Sequence, residues 1–132
     1  MGLLTEHMER GSLYRVLHDE DAVAVRPSTL IEKLEICLHI AEGMTFLHDS
    51  DILHRDLNSN NILVDNCGRC KISGFGLSIT EDLSKSNVAE VVGSYEWTAP
   101  EVLNGEMYSK SSDVYSYGVI YWECMRCVRD VN

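Results

Sequence analysis

The sequence predicts an α+β fold, mostly α. Three observations carry this. A long apolar-periodic stretch, opened by Ser28 or Thr29 and running to about residue 49, predicts a helix. Two short apolar runs, 61–65 and 70–73, flank a turn rich in Asp, Asn and Gly, the pattern of a β-hairpin. Residues 114–128 are apolar on nearly every face, which predicts a helix buried in a core.

At 132 residues and 45% apolar content, the chain has the size and composition of one ordinary domain. A net charge of -10 argues against nucleic acid and against an anionic membrane surface as partners. The most apolar run, 119–121, is far too short to span a bilayer, so no direct membrane insertion is expected. Glu6 stands where a myristoylation signal needs Ser or Thr, and no basic stretch opens the chain as in a signal peptide. Five cysteines are an odd number, which suits a reducing, cytoplasmic setting better than a disulfide framework. Cys67-x-x-Cys70 and Cys124-x-x-Cys127 are too far apart for a zinc ribbon, and the second pair lies in a helical pattern. Buried or half-buried thiols are the expectation.

In chain order, residues 3–8 begin as a strand and lose their apolar content. Residues 9–12 make a turn, and Ser12 is placed to cap a helix over 13–17. The acidic stretch 18–27 reads as a loop. Within the long helix, Leu34, Leu38, Ala41 and Thr45, and beside them Ile40, Met44 and Leu47, recur at three and four residues and predict a buried face. Gly43 inside that helix suggests close packing. His39 and His48 read as cap or surface residues. Residues 76–94 are polar and serine-rich, a long loop of the kind that carries function. Ser111, Ser112 and Asp113 precede the final helix as its expected cap.

The most informative stretch is His54-Arg55-Asp56-Leu57-Asn58-Ser59-Asn60-Asn61. A carboxylate can accept a proton from a hydroxyl nucleophile, and a carboxamide oxygen nearby can help hold a divalent cation. Gly74-Phe75-Gly76, Ala99-Pro100-Glu101 and Asp113-Val-Tyr-Ser-Tyr-Gly118 follow in order. Together these four features resemble the C-lobe of a protein kinase. Trp97 and Gly93-Ser94 resemble the tyrosine-kinase-like group of Ser/Thr kinases.

The resemblance implies a partial protein-kinase-like fold over 1–132. Its parts are a hinge (1–11), helices before the catalytic loop (12–53), the catalytic loop (54–65), an activation segment (74–101) and the central helix (111–128). The N-lobe would be absent. The resemblance makes Asp56 the catalytic base and puts Ser94 beside it to shape the peptide site. Asn61 binds magnesium, and Arg55 pairs with a phosphorylated loop residue. Ser78, Thr80, Ser84 and Ser86 are the hydroxyls considered for that phosphate. Thr5 falls at the gatekeeper position, the backbones of Glu6 and Met8 meet the adenine edge of ATP, and Leu63 lies under the ring. His54 and Phe75 stack in a regulatory spine, and Asp113 caps the catalytic loop from below. Glu101 awaits an arginine from helices beyond the central one.

Two departures bear on chemistry. Gly74 replaces the aspartate that is the principal magnesium ligand of the family, and glycine offers no side-chain oxygen. Asn58 replaces a lysine that brings a cation to the γ-phosphate. Nothing before residue 3 resembles a glycine-rich loop or a phosphate-pairing lysine. Apolar faces at Val119, Ile120 and Trp122 would then remain in water for want of the C-terminal helices. The expectation is a Ser/Thr kinase family member, ATP- and magnesium-linked, inactive as these 132 residues. The alternative is a pseudokinase scaffold with a protein partner.

Overall fold

The computed structural model of the chain describes residues 4–86 and 91–127. Strand β1 (Gly11–Ser12) runs into helix α1 (Leu13–His18). Ser12 is extended, and its hydroxyl accepts the Arg15 amide at 3.2 Å, as the cap reading requires. Residues 4–8, expected as a strand, join no ladder, and Leu4 is 98% exposed. The edge of strand β3 (Ile62–Val64) on that side is taken by Gly11–Ser12. Residue 3 lies outside the described residues. The acidic stretch after α1 is not a plain loop either. Glu20–Val25 forms a 3-10 helix, because Ala22 is buried and Val25 packs on the core.

Helix α2 (Leu30–Asp49) opens with a capping box. Thr29 Oγ1 accepts the Glu32 amide, while Glu32 accepts the amides of Ser28 and Thr29 at 2.7 and 3.0 Å. Those donors, Thr29 first, pull the Glu32 carboxyl down to about 2. The buried face is Ile36, Cys37, Ile40, Met44 and Leu47. This corrects half of the periodicity reading: Leu34 and Leu38 are largely exposed and Thr45 faces solvent. The helix carries two apolar rows, and tertiary contacts select one. Gly43 does mark close packing, since a Cβ there would stand 2.8 Å from Ile72 Cδ1.

After β2 (Ile52–Leu53), the hairpin of β3 and β4 (Cys70–Ile72) pairs in antiparallel register, Leu63 opposite Lys71. Asp65 closes its turn by accepting the amides of Cys67 and Arg69, and these hold its carboxyl below the usual range. The expected long loop contains structure: β5 (Ile79–Thr80) pairs with β2, followed by α3 (Glu81–Ser86); beyond the loop, α4 (Pro100–Leu103) is a short helix. The short strand forms because Leu53 and Ile79 bring apolar side chains to the same register.

Helix α5 (Lys110–Arg126) starts earlier than expected. Ser109 is its cap, with Ser112 bonding back to the Ser109 amide at 3.1 Å. Asp113 is therefore inside the first turn and free to face another element. The helix is not buried all round: Ile120 and Cys124 are at 0% exposure, but Val114, Tyr121 and Trp122 are at 58, 42 and 55%. Val119 is half-buried, and Ile120, expected in water, lies fully inside, in the core cluster that also holds residues of α1, α2 and β3. Residue 128 lies outside the described residues. Cys37, Cys70, Cys124 and Cys127 are buried thiols and Cys67 is exposed.

Candidate active site

The catalytic loop is hung from Asp113. Its Oδ2 accepts the His54 amide at 2.9 Å and its Oδ1 the Arg55 amide at 3.1 Å. His48 Nε2, at the end of α2, lies 2.9 Å from Oδ2. The expected capping role of Asp113 is what the geometry gives, and His48 is its second anchor rather than a surface residue. Asp113 is 2% exposed, so its oxygens are satisfied by these partners and not by water. Arg55 itself has φ 67°, a left-handed backbone that the two amide bonds hold in place.

His54 is fully buried. Its Nδ1 accepts the Asp56 amide at 3.1 Å, so Nε2 carries the proton it donates to the Ser73 carbonyl at 2.7 Å. Its ring stands 5.3 Å from that of Phe75, which is the expected stack, although Phe75 remains half exposed.

Asp56 sits half-buried at the loop's outer end. Its Oδ1 accepts Asn58 Nδ2 at 3.0 Å and the Ser94 amide and hydroxyl at 3.1 and 3.3 Å. Its Oδ2 accepts Asn61 Nδ2 at 3.0 Å. Gly93 makes the approach of Ser94 possible: at φ 92°, a Cβ there would fall 2.6 Å from the Arg55 carbonyl. So Asn58 and Asn61 from the same loop, and Ser94 from a distant segment, converge on the Asp56 carboxylate. That carboxylate is fixed by its donors and half-buried, a geometry suited to a proton acceptor for a hydroxyl.

Asn58 is more than a missing lysine. It is 2% exposed, and its Oδ1 accepts the amides of Asn60 and Asn61 at 2.9 and 3.2 Å. It caps the turn that aims Asn61.

The cation side is different. Gly74 has φ 75° and offers no oxygen from a side chain. A Cβ built there would lie 2.3 Å from Asn61 Cγ and Oδ1. The Asn61 carboxamide thus fills the room that a metal-binding side chain at position 74 would need. What remains is one amide oxygen beside Asp56, and this donor set does not fit a magnesium ion, which wants near-octahedral oxygens and usually a carboxylate.

Arg55 is not paired with a carboxylate among the described residues. Its Nε donates to the Leu77 carbonyl at 2.7 Å, and its guanidinium lies 5.6 Å from the Tyr108 ring centroid. Of the four loop hydroxyls, Ser84 is buried and donates to the Tyr108 carbonyl at 2.9 Å. Ser78 donates to the His54 carbonyl at 3.1 Å, and Thr80 is exposed. The Ser86 side chain lies outside the described residues. Glu101 accepts Ser112 Oγ at 3.3 Å.

The adenine-side residues are less assembled. Met8 is buried, and its carbonyl accepts the Gly11 amide at 3.0 Å, so that carbonyl is occupied. The Glu6 side chain pairs with Lys71, opposite Leu63 in the hairpin, and Leu63 is half-buried; Thr5 is exposed.

One residue escaped the sequence reading. Glu123, 7% exposed, accepts Ser59 Oγ and Trp97 Nε1, both at 2.9 Å, and lies 3.1 Å from His18 Nε2. It bolts the catalytic loop, the segment before Ala99 and α1 to α5. A lone carboxylate inside the apolar run of α5 was the signal.

A family model described as protein tyrosine and serine/threonine kinase matches residues 1–130. Probable serine/threonine-protein kinase drkA of Dictyostelium discoideum is 44% identical over 92% of this chain, which spans 18% of that protein. Serine/threonine-protein kinase CTR1 of Arabidopsis thaliana is 41% identical over 93% of the chain and 15% of its own length. Serine/threonine/tyrosine-protein kinase HT1 of the same plant is 35% identical over 92% of the chain and 30% of its own length. The chain therefore spans less than a third of each of these relatives. With this match and the convergence of Asp56, Asn61, Ser94 and Asp113, the chain belongs to the protein tyrosine and serine/threonine kinase family.

Proposed function

We propose that these 132 residues are the substrate-side half of a Ser/Thr protein kinase domain and do not transfer phosphate by themselves. The observation that carries this is the contact between Asn61 and Gly74, which leaves the cation side without a carboxylate and without room for one. The acceptor side is built for the family reaction: Asp56 would orient a serine or threonine hydroxyl and take its proton, with Ser94 holding the peptide edge. ATP, when bound, supplies the phosphoryl group. Glu6 and Met8 would meet its adenine through their backbones, with Leu63 beneath it. An N-lobe would supply the phosphate-cradling parts. The family's later helices would cover Val114, Tyr121 and Trp122, and one of them would bring an arginine to Glu101. Arg55 would receive a loop phosphate, for which exposed Thr80 is better placed than buried Ser84. A reducing cytoplasmic setting suits the free thiols.

A second reading is a pseudokinase scaffold that binds a protein partner without turnover. Gly74 and the buried, lysine-replacing Asn58 favour it. The discriminating experiment is phosphate transfer from labelled ATP to a Ser/Thr peptide library in magnesium buffer. It is run on the 132 residues and on a longer chain that includes an N-lobe. We expect none from the short chain. Magnesium-dependent transfer by it would overturn the proposal, and transfer by the longer chain would exclude the scaffold reading.

A further inference from the structure

Tyr108 stands half-buried just ahead of Ser109, the cap of α5, and three separate segments meet on it. The Arg55 guanidinium carbon lies over its ring, 5.6 Å from the centroid. Its hydroxyl donates to the carbonyl of Val92, two residues before Ser94. Its own carbonyl accepts the hydroxyl of buried Ser84 at 2.9 Å. We propose that Tyr108 is a positioning residue for the acceptor site: its hydroxyl and ring hold the Ser94 segment and Arg55 together, and so set Ser94 against Asp56. This rests on the reading of Asp56 as the group that takes the proton of a substrate hydroxyl.

The path from Tyr108 to Asp56 is short. The Tyr108 hydroxyl holds residue 92. Gly93 then runs against the catalytic loop, where a Cβ would lie 2.6 Å from the Arg55 carbonyl and 3.2 Å from Asp56 Oδ1. Ser94 follows, and its amide and hydroxyl reach Asp56 Oδ1 at 3.1 and 3.3 Å. On the far side of Ser94, its carbonyl accepts the Trp97 amide at 3.1 Å and the Thr98 hydroxyl at 2.8 Å. The Tyr108–Val92 bond is thus the hold on the near side. Arg55 is kept from swinging by its bond to the Leu77 carbonyl and by the Tyr108 ring. Between Arg55, Asp56, Ser94 and Tyr108 there is a cavity of about 10 Å³, the lower limit for one water. With so little slack, a shift of Tyr108 is passed on to its neighbours rather than absorbed. Tyr108 does this with an uncharged ring and a hydroxyl, so the arrangement needs no phosphate on the loop.

The test is hydrogen exchange followed by NMR on the 132-residue chain, without ATP or peptide. Tyr108→Phe keeps the ring and removes the hydroxyl. We expect the Ser94 amide to exchange at least about tenfold faster, and the Asp56 carboxylate carbon signal to shift. The His54 and Arg55 amides, held by Asp113, should stay within about twofold, as should the Ile40 amide inside α2. Tyr108→Leu removes the ring as well, and should add a rise of at least about tenfold in exchange at Arg55 Nε. An unchanged Ser94 amide in Tyr108→Phe would overturn the proposal. So would an equal rise at Ser94 and Ile40, which is the pattern of a general loss of stability. An Arg55 Nε signal unmoved by Tyr108→Leu would also overturn it. Lack of phosphate transfer by a longer chain with an N-lobe would count against the kinase reading, while the exchange result would still decide the role of Tyr108.

Discussion

The two sides of the catalytic loop differ in how they are built. On the acceptor side, Asp56 takes four hydrogen bonds on its carboxylate, and Asp113 and Glu123 each tie several elements together from below. On the cation side, Gly74 supplies nothing and Asn61 has moved into the vacant room. The acceptor side needs only the loop, α5 and the segment around Ser94, all of which lie within this chain. On the other side, position 74 offers no side-chain oxygen, and a Cβ there would meet the Asn61 carboxamide at 2.3 Å.

The comparison can be broken most strongly at Asp113. Asp113→Ala strands the amides of His54 and Arg55 and one nitrogen of His48 in a buried place. We expect a loss of about 3–5 kcal/mol in urea unfolding, with faster amide exchange at His54 and Arg55. Unchanged stability would mean that the loop holds itself. It can be sharpened from the other side by Gly74→Asp in a longer chain that includes an N-lobe. There the carboxylate should tighten magnesium-nucleotide binding at least tenfold, about 1.4 kcal/mol, in titration calorimetry. Asn61 must rotate away for this, and the left-handed backbone lowers stability by about 1 kcal/mol. No gain on titration would place the defect elsewhere.

A smaller effect is expected at Asn58. Asn58→Ala removes the cap of the 59–61 turn and one donor to Asp56, at about 1 kcal/mol. Asn58→Lys, the family's usual residue, should lose the same cap, so it should not restore stability. The smallest effect serves as a control remote from both sides. The Glu32 carboxyl sits near 2 when folded, below its unfolded value of about 4.3. Its contribution is therefore complete above about pH 4.5 and lost as pH falls toward 2. Glu32→Gln should flatten that acid limb of the helix signal without touching the loop. An identical acid limb in the variant would assign the transition to other carboxylates.

Much of the site was legible because the motif residues are local. Asp56 and Asn61 lie on one short loop, and their spacing already places both at its lip. Asp113 was legible in role but not in position, since the helix begins at Lys110 with Ser109 as cap. Glu123 was legible only as a lone carboxylate in an apolar run; nothing local says that it will meet Trp97 and Ser59 rather than water. The row Leu34, Leu38, Ala41 and Thr45 misled for a related reason: periodicity says that a face is apolar and cannot say which of two rows meets a partner.

By itself, the sequence determined the family, the long helix, the hairpin and the absence of a carboxylate side chain at position 74. Each of these is written in residue identity and short spacing, which physics reads without knowing the fold. Only the tertiary structure decided that Asn61 fills the space beside Gly74 and that Glu123 joins three elements. Those facts depend on how separate helices and loops pack, and packing is set by the sum of many weak contacts that no single stretch of chain contains.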